Sequence, residues 1–499
     1  MNGTLWAMLP PLLAIVISLI TKEVNLSLFI GILVGAGLFT GFHPFETVIT
    51  TFDIMASKVQ GNMGVLIFII FLGMIVYLMN LSGATKKYAQ WAVKRIKGRR
   101  ASLLSAAALG VVIFVDDYFN CLTVGTVMGP IFDKNHLSRE KLAYIIDCTA
   151  APICIIAPIS SWAAAVTSSL PDGTTIDGFQ LFLQTIPYNF YSLFTLMLIL
   201  LTSITLIDFG KMNQFEMEAR LKKYEEKLQE EDEAASRGQI IDLILPIAGL
   251  IVFSIVSMLY TGGFFDGGIT LGQAFADCDA ITGLAMGSFY TVLLVALLYL
   301  PRKIVTPKVF LDGLVKGFIH MVPATLILVF AWTLGGVCGG DYLDAGGFVA
   351  EFVQQHHISL KLMPAIFFLI TILLSFSTGT SWGTFAIMLP ITVSVIGENS
   401  PTLLAITTAA VLGGSVCGDH LSPISDTTIL SSTGAECDHL RHVESQLPYG
   451  FLVALISFGI YLLAGFVTQQ AWILLILGLA LEACLLLLFK KLGRQSEKV

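Results

Sequence analysis

Long apolar runs separated by short polar segments fill this chain. Residues 240–259, 284–300 and 451–467 are each predominantly apolar and close to the length of a membrane-spanning helix. Similar runs recur along the whole chain, and only 13% of the 499 residues are charged. So few charges cannot cover the surface of a water-soluble protein of this length. The pattern therefore predicts an all-α polytopic membrane protein embedded in a lipid bilayer.

A polar pattern interrupts these runs twice. The first copy consists of FVDDYFN (114–120) and PISSW (158–162), and the second consists of TGTSW (378–382) and GDHLSPISDT (418–427). Carboxylates are costly in hydrocarbon, and proline removes helical hydrogen bonds whose freed partners need protein, water or an ion. Two matched sets of such residues indicate a functional site near the middle of the membrane.

The basic residues assign the loops to two sides. Counting by loop places 26 of the 28 Lys and Arg residues on one side, and only Lys58 and Lys361 on the other. The loops around 171–178, 262–280 and 339–357 contain neither Lys nor Arg. Since basic loops stay in the cytoplasm, we expect the N-terminus outside and the C-terminus inside.

This charge pattern requires that the two polar copies are not simple membrane spans. Residues 103–132 must enter and return on the basic side as a helical hairpin, and 143–170 then crosses as a broken helix. In the second copy, 362–396 is a hairpin from the opposite face and 402–432 is the broken helix. The sequence thus predicts an inverted-topology repeat with two re-entrant hairpins and about 11 crossing segments in all.

The chain divides into two membrane halves. Residues 1–209 form the first half and 240–499 the second, and each combines scaffold helices with one hairpin and one broken helix. In the first half, 179–207 is expected to be a single scaffold helix after the broken helix. The segment 210–239 is rich in charges of both signs and favours helix. We interpret it as a solvated cytoplasmic helix that links the halves, with a regulatory role as the less favoured alternative.

Asp116 and Asp117 lie side by side in an apolar run, which makes them the leading candidates for a site in the first half. Two neighbouring carboxylates suit the exchange of a proton for a cation. The alternative is that an aspartate caps the hairpin turn with Asn120 as its partner. Asp147 lies near the cytoplasmic end of its segment, where it serves either the site or a structural salt bridge with Arg139 or Lys141.

The second copy holds the densest polar cluster of the chain. Two carboxylates, Asp419 and Asp426, surround the imidazole of His420, a combination that suits proton-coupled exchange. Hydroxyl and freed carbonyl oxygens are the ligands that Na⁺ prefers. We therefore expect Na⁺ at Asp117, Ser160, Asp419 and Asp426. The full set of candidate ion- or substrate-binding residues is Asp116, Asp117, Asn120, Asp147, Ser160, Ser161, Thr378, Thr380, Ser381, Asp419, His420, Ser422, Ser425, Asp426 and Thr427.

The cysteines and the histidines outside these motifs give no indication of a bound cofactor. The eight cysteines contain no CxxC pair, so we expect no metal or redox cofactor. Cys278 and Cys338 are both predicted outside, where free thiols are favoured over a disulfide. His439 and His442 flank Arg441 in a predicted cytoplasmic loop, and we interpret them as surface residues.

The two long polar motifs resemble those of the NhaC-type Na⁺/H⁺ antiporter family, within the broader ion transporter superfamily. The resemblance rests on FVDDYFN through PISSW (114–162) and on GDHLSPISDTTILSSTGAECDH (418–439). It implies sodium-coupled secondary transport at the plasma membrane of a prokaryote. It also implies a homodimer with a scaffold and a mobile transport domain. Some members are similar to Na⁺/H⁺ exchangers, and others to sodium-coupled carriers of organic acids or amino acids.

Two transport hypotheses follow. The leading one is Na⁺/H⁺ antiport by alternating access, and the alternative is Na⁺-coupled symport or exchange of a small organic acid or amino acid. An enzyme is not expected, because intramembrane aspartyl proteases need Gly-x-Gly-Asp and this chain has Val416 at the first glycine. Nothing in the sequence indicates a nucleic-acid partner.

Overall fold

The computed structural model describes residues 4–21, 23–84, 87, 91, 95–114, 117–170, 174, 176–221, 238–344, 347–348, 351, 359–397, 400–423 and 425–496. Within these residues all regular secondary structure is helical, which confirms the predicted fold class. Seven of the described helices are long and apolar enough to cross a membrane, or eight if the bent pair 25–40 and 44–61 is one span. The chain is a multi-pass membrane protein, while the count of about 11 crossings stays a prediction.

The first half begins with four scaffold helices and continues into a hairpin and a broken helix. The helices are α1 (Leu9–Thr21), α2 (Val24–Thr40), α3 (Pro44–Gly61), α4 (Met63–Leu81), α5 (Arg99–Val112), α6 (Asp117–Lys134), α7 (Arg139–Cys154), α8 (Ser161–Ser168), α9 (Gly178–Thr185), α10 (Phe190–Thr205) and α11 (Gly210–Leu221).

The second half also contains scaffold helices, one hairpin and one broken helix. Its helices are α12 (Ile241–Thr261), α13 (Leu271–Ala276), α14 (Ala280–Tyr299), α15 (Pro307–Val337), α16 (Met363–Thr378), α17 (Ser381–Ile396), α18 (Pro401–Leu421), α19 (Asp426–Ala435), α20 (His439–Phe466) and α21 (Ala471–Ser496).

Two similar helical units occupy the predicted repeat positions. The first repeat unit is α5 and α6, which form a hairpin, followed by α7 and α8. The second repeat unit is α16 and α17, followed by α18 and α19. The observed arms fall within a few residues of the predicted 103–132, 143–170, 362–396 and 402–432. Insertion from opposite faces of a membrane stays a prediction, as does the division into halves at 210–239.

Prolines and caps explain where the broken helices stop and restart. Pro152 lies inside the last turn of α7, and the chain leaves the helix before Pro158. The Ser160 side chain then accepts a hydrogen bond from Ala163 N, which starts α8. In the second repeat unit Pro423 follows α18, and Ser425 caps α19 in the same way.

The two repeat units touch each other without intervening side chains. A Cβ added to Gly125 of α6 would lie 2.2 Å from the backbone of Gly434 in α19. Within the second repeat unit, a Cβ on Gly414 of α18 would lie 2.0 Å from Thr371 Oγ1 of α16. These contacts require glycine, and they bring hydrogen-bonding groups from both units into one region.

Two features of the scaffold differ from the sequence prediction. The run 179–207 was expected to be one helix, but α9 ends at Thr185 and α10 starts only at Phe190. Pro187 lies between them in a short 3-10 turn, because it lacks the N–H that would continue an α-helix. The helix α3, which the sequence analysis did not single out, follows α2 at an angle of 118°.

The first part of the linker packs against the membrane helices instead of being fully solvated. Glu216 of α11 is 1% exposed and accepts hydrogen bonds from Arg99 and from both N and Oγ of Ser138. Nearby, Arg441 Nη2 donates to Glu218 over 2.8 Å. The linker therefore begins as a docked helix, and its remainder at 222–237 lies outside the described residues.

Candidate functional site

The Asp117 carboxylate lies at the tip of the first hairpin, where α6 begins. Its side chain is fully buried, and Oδ2 accepts hydrogen bonds from Trp162 Nε1 at 3.0 Å and Trp382 Nε1 at 3.5 Å. Trp162 is the second residue of α8, and Trp382 is the second residue of α17. A tryptophan from the broken helix of the first repeat unit and one from the hairpin of the second thus converge on a single carboxylate oxygen.

Asp419 forms a second buried carboxylate site at the end of α18. Its Oδ2 accepts hydrogen bonds from Thr427 Oγ1 at 2.8 Å and Ser381 Oγ at 2.9 Å. Thr427 comes from α19, across the break, and Ser381 from the tip of the second hairpin. The hairpin and the broken helix of one repeat unit therefore supply the donors together.

The start of α17 connects these two carboxylates. Ser381 donates to Asp419, while the next residue, Trp382, donates to Asp117. The two indole rings lie 6.0 Å apart at 68°, and Phe385 packs on both. Predicted site residues from both halves therefore lie in one continuous region.

Helix ends give this region a positive local field. The helices α6, α8 and α17 all begin here, at Asp117, Ser161 and Ser381. Helix N-termini carry partial positive charge and unpaired N–H groups, so they stabilise an ionised carboxylate. The same ends also favour an anionic group on a bound solute.

Asp147 lies in a separate polar cluster between α7, α19 and α20. Its Oδ2 accepts from Gln446 Nε2 at 2.6 Å and Thr428 Oγ1 at 3.0 Å, and its Oδ1 from Ser431 Oγ at 3.3 Å. Among the residues that the structure describes, these partners of the buried Asp147 are all neutral.

The alternative of a structural salt bridge for Asp147 is wrong. Lys141 Nζ instead binds Asp208 at 2.6 Å, and Arg139 binds Asp133 at 2.8 Å. Asp147 and Lys141 are six residues apart along α7, and their side chains therefore lie on different faces. Within the described residues Asp147 is thus a buried carboxylate held by neutral hydrogen-bond donors.

His420 faces the Asp147 cluster rather than the Asp419 carboxylate. Its Nδ1 lies 3.1 Å from the hydroxyl of Tyr191, and its backbone oxygen accepts from Gln446 Nε2 at 2.8 Å. Within the described residues His420 Nε2 has no hydrogen-bond partner although the ring is buried. The imidazole, which the sequence placed between Asp419 and Asp426, therefore lies on the Asp147 side of α18.

Four predicted site residues have clear structural roles. Asn120 Nδ2 donates to the carbonyl oxygens of Gly110 and Ile113 at 2.7 and 2.9 Å, which closes the first hairpin. Ser160 and Ser425 cap α8 and α19, and Ser422 Oγ donates to Phe376 O at 2.7 Å, which ties α18 to α16. These residues hold the backbone around the site.

The remaining predicted residues divide into three groups. Ser161 is buried at the start of α8, and its hydroxyl has no hydrogen-bond partner among the described residues. Thr380 is buried as the residue before α17, where its carbonyl accepts from Thr384 Oγ1 at 2.9 Å. Asp116 and the side chains of Thr378 and Asp426 lie outside the described residues.

Sequence reasoning misplaced His442 and gave no role to Gln446. His442 is fully buried, and its Nε2 lies 3.0 Å from Gln446 Oε1, so it is not a surface residue. Residues 442 and 446 are one helical turn apart on α20, and this spacing was the available signal. Cys278 and Cys338, by contrast, are free thiols as favoured by the sequence analysis.

A cavity of about 680 Å³ lies on the side away from the basic loops. Its wall includes Ser168 at the end of α8, Ser394 of α17, Lys58 of α3 and Trp332 of α15. The cavity is therefore lined by both the scaffold helices and the repeat units. Because α8 starts at the Asp117 region and ends at this cavity, one short helix connects the two.

The all-helical fold, the broken helices and the buried carboxylates define a membrane transporter. The chain belongs to the Na⁺/H⁺ antiporter family, whose sequence profile matches residues 171–466. An uncharacterized protein of Haemophilus influenzae is 36% identical over 93% of this chain and 92% of its own length. The family predicted from the polar motifs is therefore confirmed.

Relatives with named substrates match smaller parts of the chain. A malate-2H⁺/Na⁺-lactate antiporter of Bacillus subtilis is 32% identical over 31% of this chain and 32% of its own. An arginine/ornithine antiporter of Halobacterium salinarum is 27% identical over 49% of this chain and 46% of its own.

A solved structure supports the fold. The YdaH transporter of Alcanivorax borkumensis, described as having an unusual topology, superposes with a TM-score of 0.54 at 13% identity. The match covers 84% of this chain and 89% of that one. At this identity the likeness establishes the helical architecture alone.

Proposed function

We propose that this protein is a Na⁺/H⁺ antiporter that works by alternating access. The observation that carries the proposal is the pair of buried carboxylates, Asp117 and Asp419, which neutral donors from both repeat units surround. A carboxylate in this setting binds either a proton or a small cation, and both neutralise it. Competition between the two cations at one site is the basis of exchange.

In the Na⁺-bound state, Asp117 and Asp419 supply the charge, with Asp426 as the further acidic candidate. Hydroxyl oxygens of Ser381 and Thr427, now donors to Asp419, turn their lone pairs toward the ion. The unpartnered hydroxyl of Ser161 is a third candidate oxygen ligand. Ser160 supports α8 as its cap, and so positions Trp162 and Ser161 rather than the ion itself.

Movement of the repeat units against the scaffold would open the site to each side in turn. The cavity between the scaffold and the ends of α8 and α17 supports access from the face opposite the basic loops. We place the protein in a prokaryotic plasma membrane as a homodimer with its C-terminus in the cytoplasm. It acts as a transporter without a resident cofactor, and not as an enzyme.

A second candidate function is Na⁺-coupled symport or exchange of a small carboxylate or amino acid. The three helix N-termini at the Asp117 region favour it, because they would bind the carboxylate of such a solute. Relatives named for malate and lactate and for arginine and ornithine transport point the same way.

Transport by the purified protein in liposomes distinguishes the two candidates. An internal pH dye records proton movement after addition of Na⁺, Li⁺ or K⁺, and labelled organic and amino acids are then tested for counterflow. Antiport predicts Na⁺-dependent proton flux without any solute, and its absence in Asp419→Asn and Asp426→Asn. Na⁺-dependent uptake of an organic solute, with no proton flux in its absence, would establish the second candidate instead.

A further inference from the structure

A pair of histidines lies at the start of α20, where this helix meets the break between α18 and α19. His439 is half-buried near the basic face, defined here by Arg99, Arg139 and Arg441, and His442 is fully buried one turn deeper. The hydroxyl of Ser432 from α19 lies between them, 3.1 Å from His439 Nδ1 and 2.8 Å from His442 Nδ1. One hydroxyl thus bridges a surface imidazole and a buried one.

The other nitrogen of each histidine faces a group that only accepts. Gln446 Nε2 donates to Asp147 Oδ2 and to the His420 carbonyl, which fixes the amide so that its Oε1 faces His442. His442 Nε2 lies 3.0 Å from this oxygen and must donate to it. His439 Nε2 lies 2.7 Å from the carbonyl oxygen of Pro423 and must also donate.

Counting protons shows that the neutral pair cannot make all these bonds. The hydroxyl of Ser432 has one hydrogen, and it also lies 2.8 Å from its acceptor Thr428 O. If Ser432 donates to Thr428 O, both Nδ1 atoms must donate, and both rings are imidazolium. If Ser432 donates to one ring, the other ring alone is imidazolium. A network that makes every bond therefore holds two protons more than the neutral pair, and one that gives up the Ser432–Thr428 bond holds one more.

We propose that His439 and His442, bridged by Ser432, form a proton-binding site that opens to the basic face and couples to Asp147 through Gln446. The inference rests on the proposed Na⁺/H⁺ exchange and adds a location for part of its protons. Loss of these protons breaks either the His439 contact to Pro423 O or the shared contact at Ser432. Proton occupancy thereby controls the backbone at the break that holds Asp419.

The surrounding charges are consistent with this assignment. Within the described residues Asp147 is held by neutral groups, and Asp438 caps α20 by accepting from Arg441 N. The other acidic groups near the pair form ion pairs with Lys or Arg. The titratable or charged groups near this region are Asp147, Cys148, Arg139, Glu140 and Lys141 from α7, His420 from α18, Glu436, Cys437 and Asp438 between α19 and α20, Glu216 and Glu218 from α11, Asp208 before it, and Arg441 and Glu444 from α20 itself.

Histidine-selective ¹⁵N NMR of the full-length protein in lipid nanodiscs tests the site directly. His439→Asn and His442→Asn identify the two signals, and His43→Asn, at an exposed position, is the matched control. Spectra are recorded between about pH 8 and pH 5, and we expect the two rings to bind their protons in coupled rather than independent steps. Ser432→Ala should separate them into independent titrations, and Ser432→Thr, which keeps the hydroxyl, should restore the coupling. A His442 ring that keeps one neutral tautomer over this range overturns the proposal.

Transport measured across the same pH range tests the coupling. In His442→Asn we expect the Na⁺-dependent proton flux to fall about tenfold and to depend less on pH than in the wild type. A His442→Asn profile identical to wild type would also overturn the proposal. If the histidines titrate as a pair but the wild type exchanges no protons for Na⁺, the proton-binding site stands and the proposed antiport is wrong.

Discussion

The two repeat units have the same order of helices, but the tips of their hairpins carry opposite hydrogen-bonding groups. The first hairpin ends in a carboxylate, Asp117, which accepts hydrogen bonds. The second ends in Ser381 and Trp382, which donate them. At the breaks the order reverses, since Trp162 donates in the first unit while Asp419 accepts in the second. The two units thus form one site together, because one supplies hydrogen-bond acceptors where the other supplies donors.

The comparison predicts that loss of the acceptor at the first hairpin has the largest effect. Asp117→Asn keeps the shape but removes the charge that holds a cation. Loss of a buried partner charge costs about 3 kcal/mol or more, which is about a hundredfold or more in ion affinity. The Na⁺ dependence of the proton flux in liposomes measures this loss of affinity. Asp133→Asn, at the surface end of the same helix, should stay near wild type, and equal activity of both variants would remove Asp117 from the site.

The second prediction concerns the contact between the units. Gly125→Ala introduces a methyl group where the Gly434 backbone lies 2.2 Å away, so α6 and α19 must separate. We expect a loss of stability of about 1–3 kcal/mol, seen as a lower melting temperature in detergent. Gly459→Ala is the control, because nothing lies within 4 Å of its added Cβ. If Gly125→Ala melts no earlier than this control, the units do not pack through these glycines.

A smaller effect is expected where a donor at the second hairpin is removed. Ser381→Ala deletes one hydrogen bond to Asp419, worth about 1–2 kcal/mol, or about tenfold in the Na⁺ concentration for half-maximal exchange. Ser394→Ala on the same helix is the control, since its hydroxyl donates only to Pro390 O within the described chain. Equal half-saturation in the two variants would place Na⁺ elsewhere.

The smallest effects separate the two tryptophans. Trp162→Phe removes the 3.0 Å contact to Asp117, and Trp382→Phe removes the 3.5 Å contact. Because the shorter bond is the stronger, we expect Trp162→Phe to slow exchange several-fold and Trp382→Phe less, within about 1 kcal/mol of each other. The reverse order would show that contact between the units matters more than bond length.

The hairpins and breaks could be predicted because their signals are physical and local. Carboxylates in an apolar run and prolines such as Pro158 and Pro423 have few compatible structures in a membrane. The charge of the loops then limited how the segments connect. The same reasoning failed at Phe179–Ile207, where Pro187 alone marks the interruption, and at α3, whose sequence is less apolar than its neighbours.

Side-chain pairing across the units could not be predicted from one sequence. Trp162 and Trp382 were visible as repeated motif residues, but only the fold shows that both reach Asp117. His442 looked like a surface residue because Arg441 precedes it. Arg441 in fact extends to Glu140 and Glu218, which leaves the next side chain pointing inward. Neighbours on a helix point about 100° apart, so charge at one position says little about burial at the next.

The hydrogen bond from Trp382 to Asp117 has a consequence for leakage. Under the proposed exchange, it joins the two repeat units most strongly while the carboxylate is ionised and empty, because a bound proton or Na⁺ reduces the negative charge on the accepting oxygen. The empty carrier would then be held more tightly than a loaded one. An exchanger needs the empty carrier to stay in place, since a carrier that returned empty would let Na⁺ run down its gradient without a proton in exchange.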